Sequence, residues 1–105
     1  MQWISPKALE KAQSESKDYL ILDVREEYEH QICSIPCLSI PMADIAVKQN
    51  EIPKDKKIVV MCRSGKRAEA VANLMECELG FDELLVLEGG ILNWIEQIAP
   101  NLESY

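Results

Sequence analysis

The segment Cys62-Arg63-Ser64-Gly65-Lys66-Arg67 places one thiol ahead of three cationic side chains, a hydroxyl and a glycine. An apolar run, Lys57–Met61, leads into it and an amphipathic stretch, Lys66–Leu79, leads out, so it is expected to join a strand to a helix. Backbone N–H groups at such a helix start point at the loop and form an anion cradle, with Cys62 at its rim or floor. A thiol in that setting acts as a thiolate, which attacks sulfur or phosphorus without a base to take its proton. The single histidine, His30, lies beyond a different strand, so a papain-like Cys–His pair carries little weight. The plain alternative is a small buried residue closing a strand. The polar and flexible residues that follow Cys62 argue against burial.

The remaining loop residues have assignable tasks. Arg63 and Arg67 can hold an anion through forked hydrogen bonds, and Lys66 adds charge. Ser64 can donate to a substrate or cap the turn, and Gly65 supplies backbone freedom. Asp23 and Arg25 fall at the carboxyl end of another expected strand, where they bond each other or nearby backbone and brace the loop. Gly89-Gly90 reads as a tight strand-to-helix turn in preference to a phosphate site. Cys33, Cys37 and Cys77 are expected to be buried free thiols. Their spacing with His30 does not give the four clustered ligands that zinc needs, so no metal and no cofactor is assigned.

The elements that must position these residues follow from periodicity. Trp3-Ile4 is a short strand, and Ser5-Pro6 opens a helix running to about Ser16. Tyr19–Val24 reads as a strand buried on both faces, Arg25–His30 as a polar helical turn, Ser39-Ile40 as a short strand, and Pro41–Val47 as a helix start. Lys57–Met61 is a central strand. Along Lys66–Leu79 the residues Ala68, Val71, Ala72, Met75 and Leu79 share one face, with Gly80 at the cap position. Leu84–Leu87 is a further strand, followed by a helix carrying Ile91, Trp94, Ile95 and Ile98 to the core and stopped by Pro100. This alternation predicts a doubly wound, mainly parallel sheet with helices on both faces.

With 105 residues the chain fits a single domain, 1–105, and 48% hydrophobic with 28% charged residues excludes disordered and low-complexity classes. Eighteen acidic against eleven basic residues give a net charge of −7, which disfavours nucleic acid and anionic membranes as partners. No basic start with an apolar run behind it signals export, and no stretch is long enough for a membrane span, so a reducing, cytoplasmic compartment is expected. Three of the basic residues fall within the loop, a local positive focus suited to a small anion.

Four stretches resemble the single-domain rhodanese family in order along nearly the whole chain. Cys62–Ala68 is similar to the family's six-residue active-site loop, and Asp23-Val24-Arg25-Glu26 with Glu27-Tyr28 to its first signature. Ile32–Pro41 resembles the central stretch, with Ser34 and Cys37 where histidine and glycine are common, and Leu87-Glu88-Gly89-Gly90 with Trp94 resembles the C-terminal signature. The resemblance implies a sulfurtransferase or persulfide carrier that takes sulfane sulfur onto Cys62 from a small anionic donor such as thiosulfate. It also implies protein sulfur donors or acceptors as partners. A phosphatase or arsenate reductase uses a related cradle, but in the tyrosine-phosphatase pattern arginine follows the cysteine by six positions, where this chain has Ala68. A catalytically idle interaction module is the third reading.

Overall fold

A computed structural model describes residues 1–16 and 18–105 of the chain. Five parallel strands, β1 (Gln2–Ile4), β2 (Tyr19–Asp23), β3 (Leu38–Ser39), β4 (Lys57–Met61) and β5 (Leu85–Leu87), form one sheet in the order β1-β5-β4-β2-β3. Four α-helices accompany them: α1 (Pro6–Glu15), α2 (Glu27–Ile32), α3 (Lys66–Glu78) and α4 (Gly90–Gln97). The α/β class and the central place of Lys57–Met61 agree with the sequence.

The buried apolar strand residues divide between two cores. Leu22, Val24, Ile58, Val60 and Val86 pack against Ala68, Val71, Ala72 and Met75 of α3 on one side. Ile21, Val59, Met61 and Leu87 meet Leu9 of α1 and Ile91, Trp94 and Ile95 of α4 on the other. The continuous apolar runs of β2 and β4 thus serve both faces at once, as strands covered by helices on either side require. Helix α1 begins as expected, with the Ser5 hydroxyl accepting from the Ala8 N–H at 3.2 Å and Pro6 in the first turn.

The differences lie at the β3 side. Val24 falls just beyond β2, and the edge strand is Leu38–Ser39, one residue earlier than expected. Pro41–Val47 is not an α-helix start: short 3₁₀ turns at Met42–Asp44 and Gln49–Glu51 take its place, and they carry Ile45 and Ile52 into the core. Isolated apolar anchors with polar residues between them satisfy a turn as well as a helix, and periodicity over so short a window does not separate the two. Cys77 is exposed, because Ala68, Val71, Ala72 and Met75 set the buried face of α3 and position 77 lies on the opposite side. Cys33 is buried as expected and Cys37 half-buried.

Leu22 pairs with Val60 on one side and Leu38 on the other and is fully buried. Leu22→Ala is therefore expected to lower unfolding free energy by roughly 2–5 kcal/mol, read as a shift of the urea midpoint. A change under about 1 kcal/mol would mean that the sheet closes around the missing side chain.

Candidate active site

Strand β4 ends at Met61 and the chain turns at once, so Cys62 stands at the carboxyl edge of the middle strand of the sheet. Gly65, with φ at +108°, redirects the backbone into α3. That turn aims two amides at the thiol. The Gly65 N–H reaches Cys62 Sγ at 3.0 Å and the Ala68 N–H at 3.4 Å. Backbone donors at this helix start thus converge on the sulfur.

The loop is held from the opposite face. At the first turn of α4 the Ile91 N–H donates to the Cys62 carbonyl at 2.9 Å and the Leu92 N–H to the Arg63 carbonyl at 3.2 Å. These donors would otherwise be unpaired at a helix start, so α4 spends them on fixing the loop backbone. The approach requires Gly90. Its φ is +65°, and a Cβ there would lie 2.3 Å from the Arg63 carbonyl oxygen and 2.5 Å from that of Cys62. The Gly89-Gly90 pair is thus a tight turn as expected, but one whose purpose is contact with the thiol loop.

Cys62 itself is 1% exposed, contrary to the expectation that polar neighbours keep it open. The side chains of Arg63, Ser64 and Lys66 do reach solvent, while the sulfur is drawn under its own loop by the amides. The arginines are not turned toward the sulfur. Arg67 forms a two-pronged ion pair with Glu29 of α2, Nη1 to Oε1 at 2.6 Å and Nη2 to Oε2 at 2.8 Å. Arg63 crosses to Tyr105, donating to its carbonyl oxygen from Nε at 2.8 Å and from Nη2. Arg67 still contributes its charge to the surroundings of Cys62.

Asp23 and Arg25 bond each other, as expected, and both are fully buried. Arg25 Nη2 and Nε engage Asp23 Oδ2 at 2.8 and 3.1 Å, and Nη2 also donates to the Cys33 carbonyl at 2.8 Å. What they brace directly is the connection from α2 to β3. Burial opposes the charge on Asp23, but the Arg25 hydrogen bonds prevail and hold the carboxyl below its usual range. Asp23, His30 and Cys37 bring a carboxylate oxygen, a ring nitrogen and a sulfur within 4.8 Å of one another. Both Asp23 oxygens already face the Arg25 guanidinium, so a cation bound there would meet a positive charge, while burial and the Asp23 charge push the Cys37 thiol up to about 11.

Glu29 and Tyr105 were not singled out in the sequence. Glu29 is buried and serves three partners: Arg67, the Tyr105 hydroxyl at 2.8 Å and the Glu26 N–H at 3.1 Å, the last within a capping box that opens α2. The spacing Glu26 to Glu29 is the one local signal of a capping box, and nothing local announces the Arg67 pair. A cavity of about 540 Å³ lies at the other end of the sheet, lined by residues such as Gln2, Tyr19, Lys57 and Glu83.

A parallel α/β sheet with a thiol held by backbone amides at the carboxyl end of its middle strand defines a class of cysteine-centred α/β domains. The chain belongs to the rhodanese-like family: the model described as rhodanese-like domain matches residues 5–97. It is 36% identical over 99 residues to a protein named sulfurtransferase from Allochromatium vinosum, covering 92% of this chain and 91% of that one. It is 40% identical over 99 residues to the putative sulfurtransferase YtwF of Bacillus subtilis, covering 92% and 93%. A crystal structure of a rhodanese-related protein from Thermoplasma volcanium superposes with a TM-score of 0.84 at 33% identity over 95% of this chain and 96% of that one.

Two outcomes follow from the geometry. Arg67 above all, opposed by burial, pulls the Glu29 carboxyl from 4.5 to about 2. A depressed acid contributes stability that is complete above its unfolded value and is lost as pH falls through its folded value. The difference in unfolding free energy between wild type and Glu29→Gln should therefore be on the order of 2–3 kcal/mol near neutral pH, after discounting for the water around Arg67. It should shrink between about pH 4.5 and pH 2; a pH-independent difference would deny the ion pair that role. Gly90→Ala should destabilise more than Gly80→Ala by about 1–3 kcal/mol. Both positions have positive φ, +65° and +76°, but a Cβ at 80 meets only Lys54 Nζ at 3.7 Å. Equal urea midpoints would show that the loop yields to the added methyl.

Proposed function

We propose that the chain is a sulfurtransferase and persulfide carrier in which Cys62 accepts sulfane sulfur from an anionic donor and passes it to a nucleophilic acceptor. The observation that carries this reading is the convergence of the Gly65 and Ala68 N–H groups on Cys62 Sγ. Two fixed donors suit a sulfur that is negative before the reaction and whose terminal atom is negative after it. Relatives named sulfurtransferase, matched over more than nine-tenths of both lengths, support the same activity.

With thiosulfate as donor, the Cys62 thiolate attacks the outer sulfur. A new S–S bond forms as the donor's own S–S bond breaks, and sulfite leaves with the electron pair. The product is a Cys62 persulfide anion. An acceptor such as cyanide or a protein thiolate then attacks the terminal sulfur, and the bonding pair returns to Cys62. Charge and electrons balance in both steps, so the chemistry calls for no metal and no organic cofactor.

Ser64 and Lys66 stand exposed at the rim to meet an incoming oxyanion, and Gly65 serves through its backbone. Arg67 acts through its field from a fixed position on Glu29. Arg63 is the guanidinium that changes partners to hold the donor, while Asp23 and Arg25 support the neighbouring α2 to β3 connection. Four unpaired cysteines suit a reducing compartment, and we place the activity in the cytoplasm. Among the described residues, no helix is long and apolar enough to cross a membrane.

The test is thiosulfate:cyanide sulfur transfer by wild type and Cys62→Ser, with intact mass after donor alone. Wild type is expected to gain one sulfur atom at Cys62 and turn over, and the serine variant to do neither while keeping the wild-type melting curve. Wild-type turnover by Cys62→Ser overturns the mechanism. A wild type inert to sulfane donors but able to hydrolyse aryl phosphates replaces it with a phosphatase.

A further inference from the structure

Trp3 stands in the edge strand β1 with 45% of its surface exposed and belongs to neither core, whereas Trp94, at 8%, is packed inside. Trp3 pairs in register with Val86, and Val86 packs against α3, so the Trp3 side chain rises on the α3 face of the sheet. Its ring reaches the start of that helix. A Cβ at Gly65 would find Trp3 Cζ3 at 3.4 Å, nearer than the Leu87 carbonyl oxygen at 3.7 Å and the Gly89 nitrogen at 3.8 Å. Gly65 is buried although Ser64 and Lys66 on either side of it are exposed.

This contact bears on the sulfur because of what Gly65 does there. Its N–H, 3.0 Å from Cys62 Sγ, is the closer of the two amides that face the thiol. The Ser64–Gly65 peptide is planar, so the direction of that N–H follows from the torsions on either side, one of which is the Gly65 φ of +108°. Glycine takes positive and negative φ about as readily, so the residue type permits this setting without selecting it. Selection falls to the surroundings. Of the three groups that stand closest to the open side of Gly65, two are backbone and only the Trp3 ring is a side chain.

We propose that Trp3 is a positioning residue for sulfur transfer, its ring holding Gly65 in the conformation that turns the Gly65 N–H onto Cys62 Sγ. This rests on the reading of Cys62 as the reacting thiol. Without the ring Gly65 gains room to revisit negative φ, and the Ser64–Gly65 peptide turns with it. The sulfur then loses one of its two fixed donors, both before and after it takes up sulfane sulfur.

Amide hydrogen exchange followed by NMR reads the Gly65 N–H directly with no sulfur donor present, so its outcome is separate from that of the transfer assay. The references are the Ile91 N–H, bonded to the Cys62 carbonyl, and the Val24 N–H, bonded to the Met61 carbonyl. In Trp3→Ala, Gly65 exchange should rise about tenfold against both references, and kcat/KM for thiosulfate should fall by a similar factor. Trp3→Phe keeps a ring of shorter reach and should fall between wild type and Trp3→Ala in both measurements; it carries the comparison alone if Trp3→Ala does not fold. Gly65 exchange at the wild-type rate in these variants overturns the proposal. So does an equal rise at Gly65, Ile91 and Val24, because the change is then general opening. Faster Gly65 exchange with undiminished kcat/KM overturns the part given to Trp3 in the reaction. A wild type that transfers no sulfur removes the reading of Cys62 instead, and the exchange ratio still decides whether the ring holds Gly65.

Discussion

The first turn of α4 can touch the carbonyls of Cys62 and Arg63 only because position 90 carries no side chain. Much of the site depends on that approach. The loop from Cys62 to Gly65 has no regular secondary structure to fix it, and its amides must nevertheless point at one sulfur within hydrogen-bond distance. Helix α3 fixes the outgoing end and β4 the incoming end. The α4 amides hold the Cys62 and Arg63 carbonyls, and the Gly65 N–H stays turned to the sulfur. Because α4 also buries Ile91, Trp94 and Ile95 against β4 and β5, the force that presses it onto the loop is ordinary apolar burial.

Around this backbone cradle the charged side chains form a second, largely self-contained layer. Asp23 is paired with Arg25, Glu29 with Arg67, and Tyr105 bridges both pairs. Burying Asp23, Arg25 and Glu29 this far would be costly singly, and it is tolerable because each has an opposite charge beside it, Arg67 in the case of Glu29, and further hydrogen bonds. The arrangement ties the ends of β2 and β4 to α2 and to the segment after α4. Removing one member leaves a buried partner uncompensated, which gives this layer its rigidity.

The sheet, the central strand, the thiol loop and α3 were legible because each is local: an apolar run, a helical period, a cysteine between them. The α2–β3 region was less so. Its short edge strand and 3₁₀ turns are set by single anchors, Ile40, Ile45 and Ile52, dropping into a core built elsewhere. The burial of Cys62 was missed because local polarity describes where side chains of residues 63–66 go and says nothing of a sulfur pulled under by amides. Glu29, Gly90 and Tyr105 gain their meaning from partners 38, 27 and 42 or more positions away, at Arg67 and Arg63, and no spacing rule reaches that far.

The pairing of the arginines bears on which anions the site can prefer. On sequence the loop is a cluster of three cations on a body of net charge −7. In the fold Arg67 is neutralised by Glu29, and Arg63 is turned to Tyr105. That leaves Lys66, the backbone dipoles and, once it has left Tyr105, Arg63 for a ligand. Dipoles act over a few ångströms and reward a compact charge seated directly on them, whereas a polyanion needs a broad field of free cations. A body of net charge −7 disfavours a long polyanion, and amides converging on one atom suit a compact charge. The preference proposed for a small sulfur anion therefore rests on where the protein has already spent its positive charges as much as on the charges it presents.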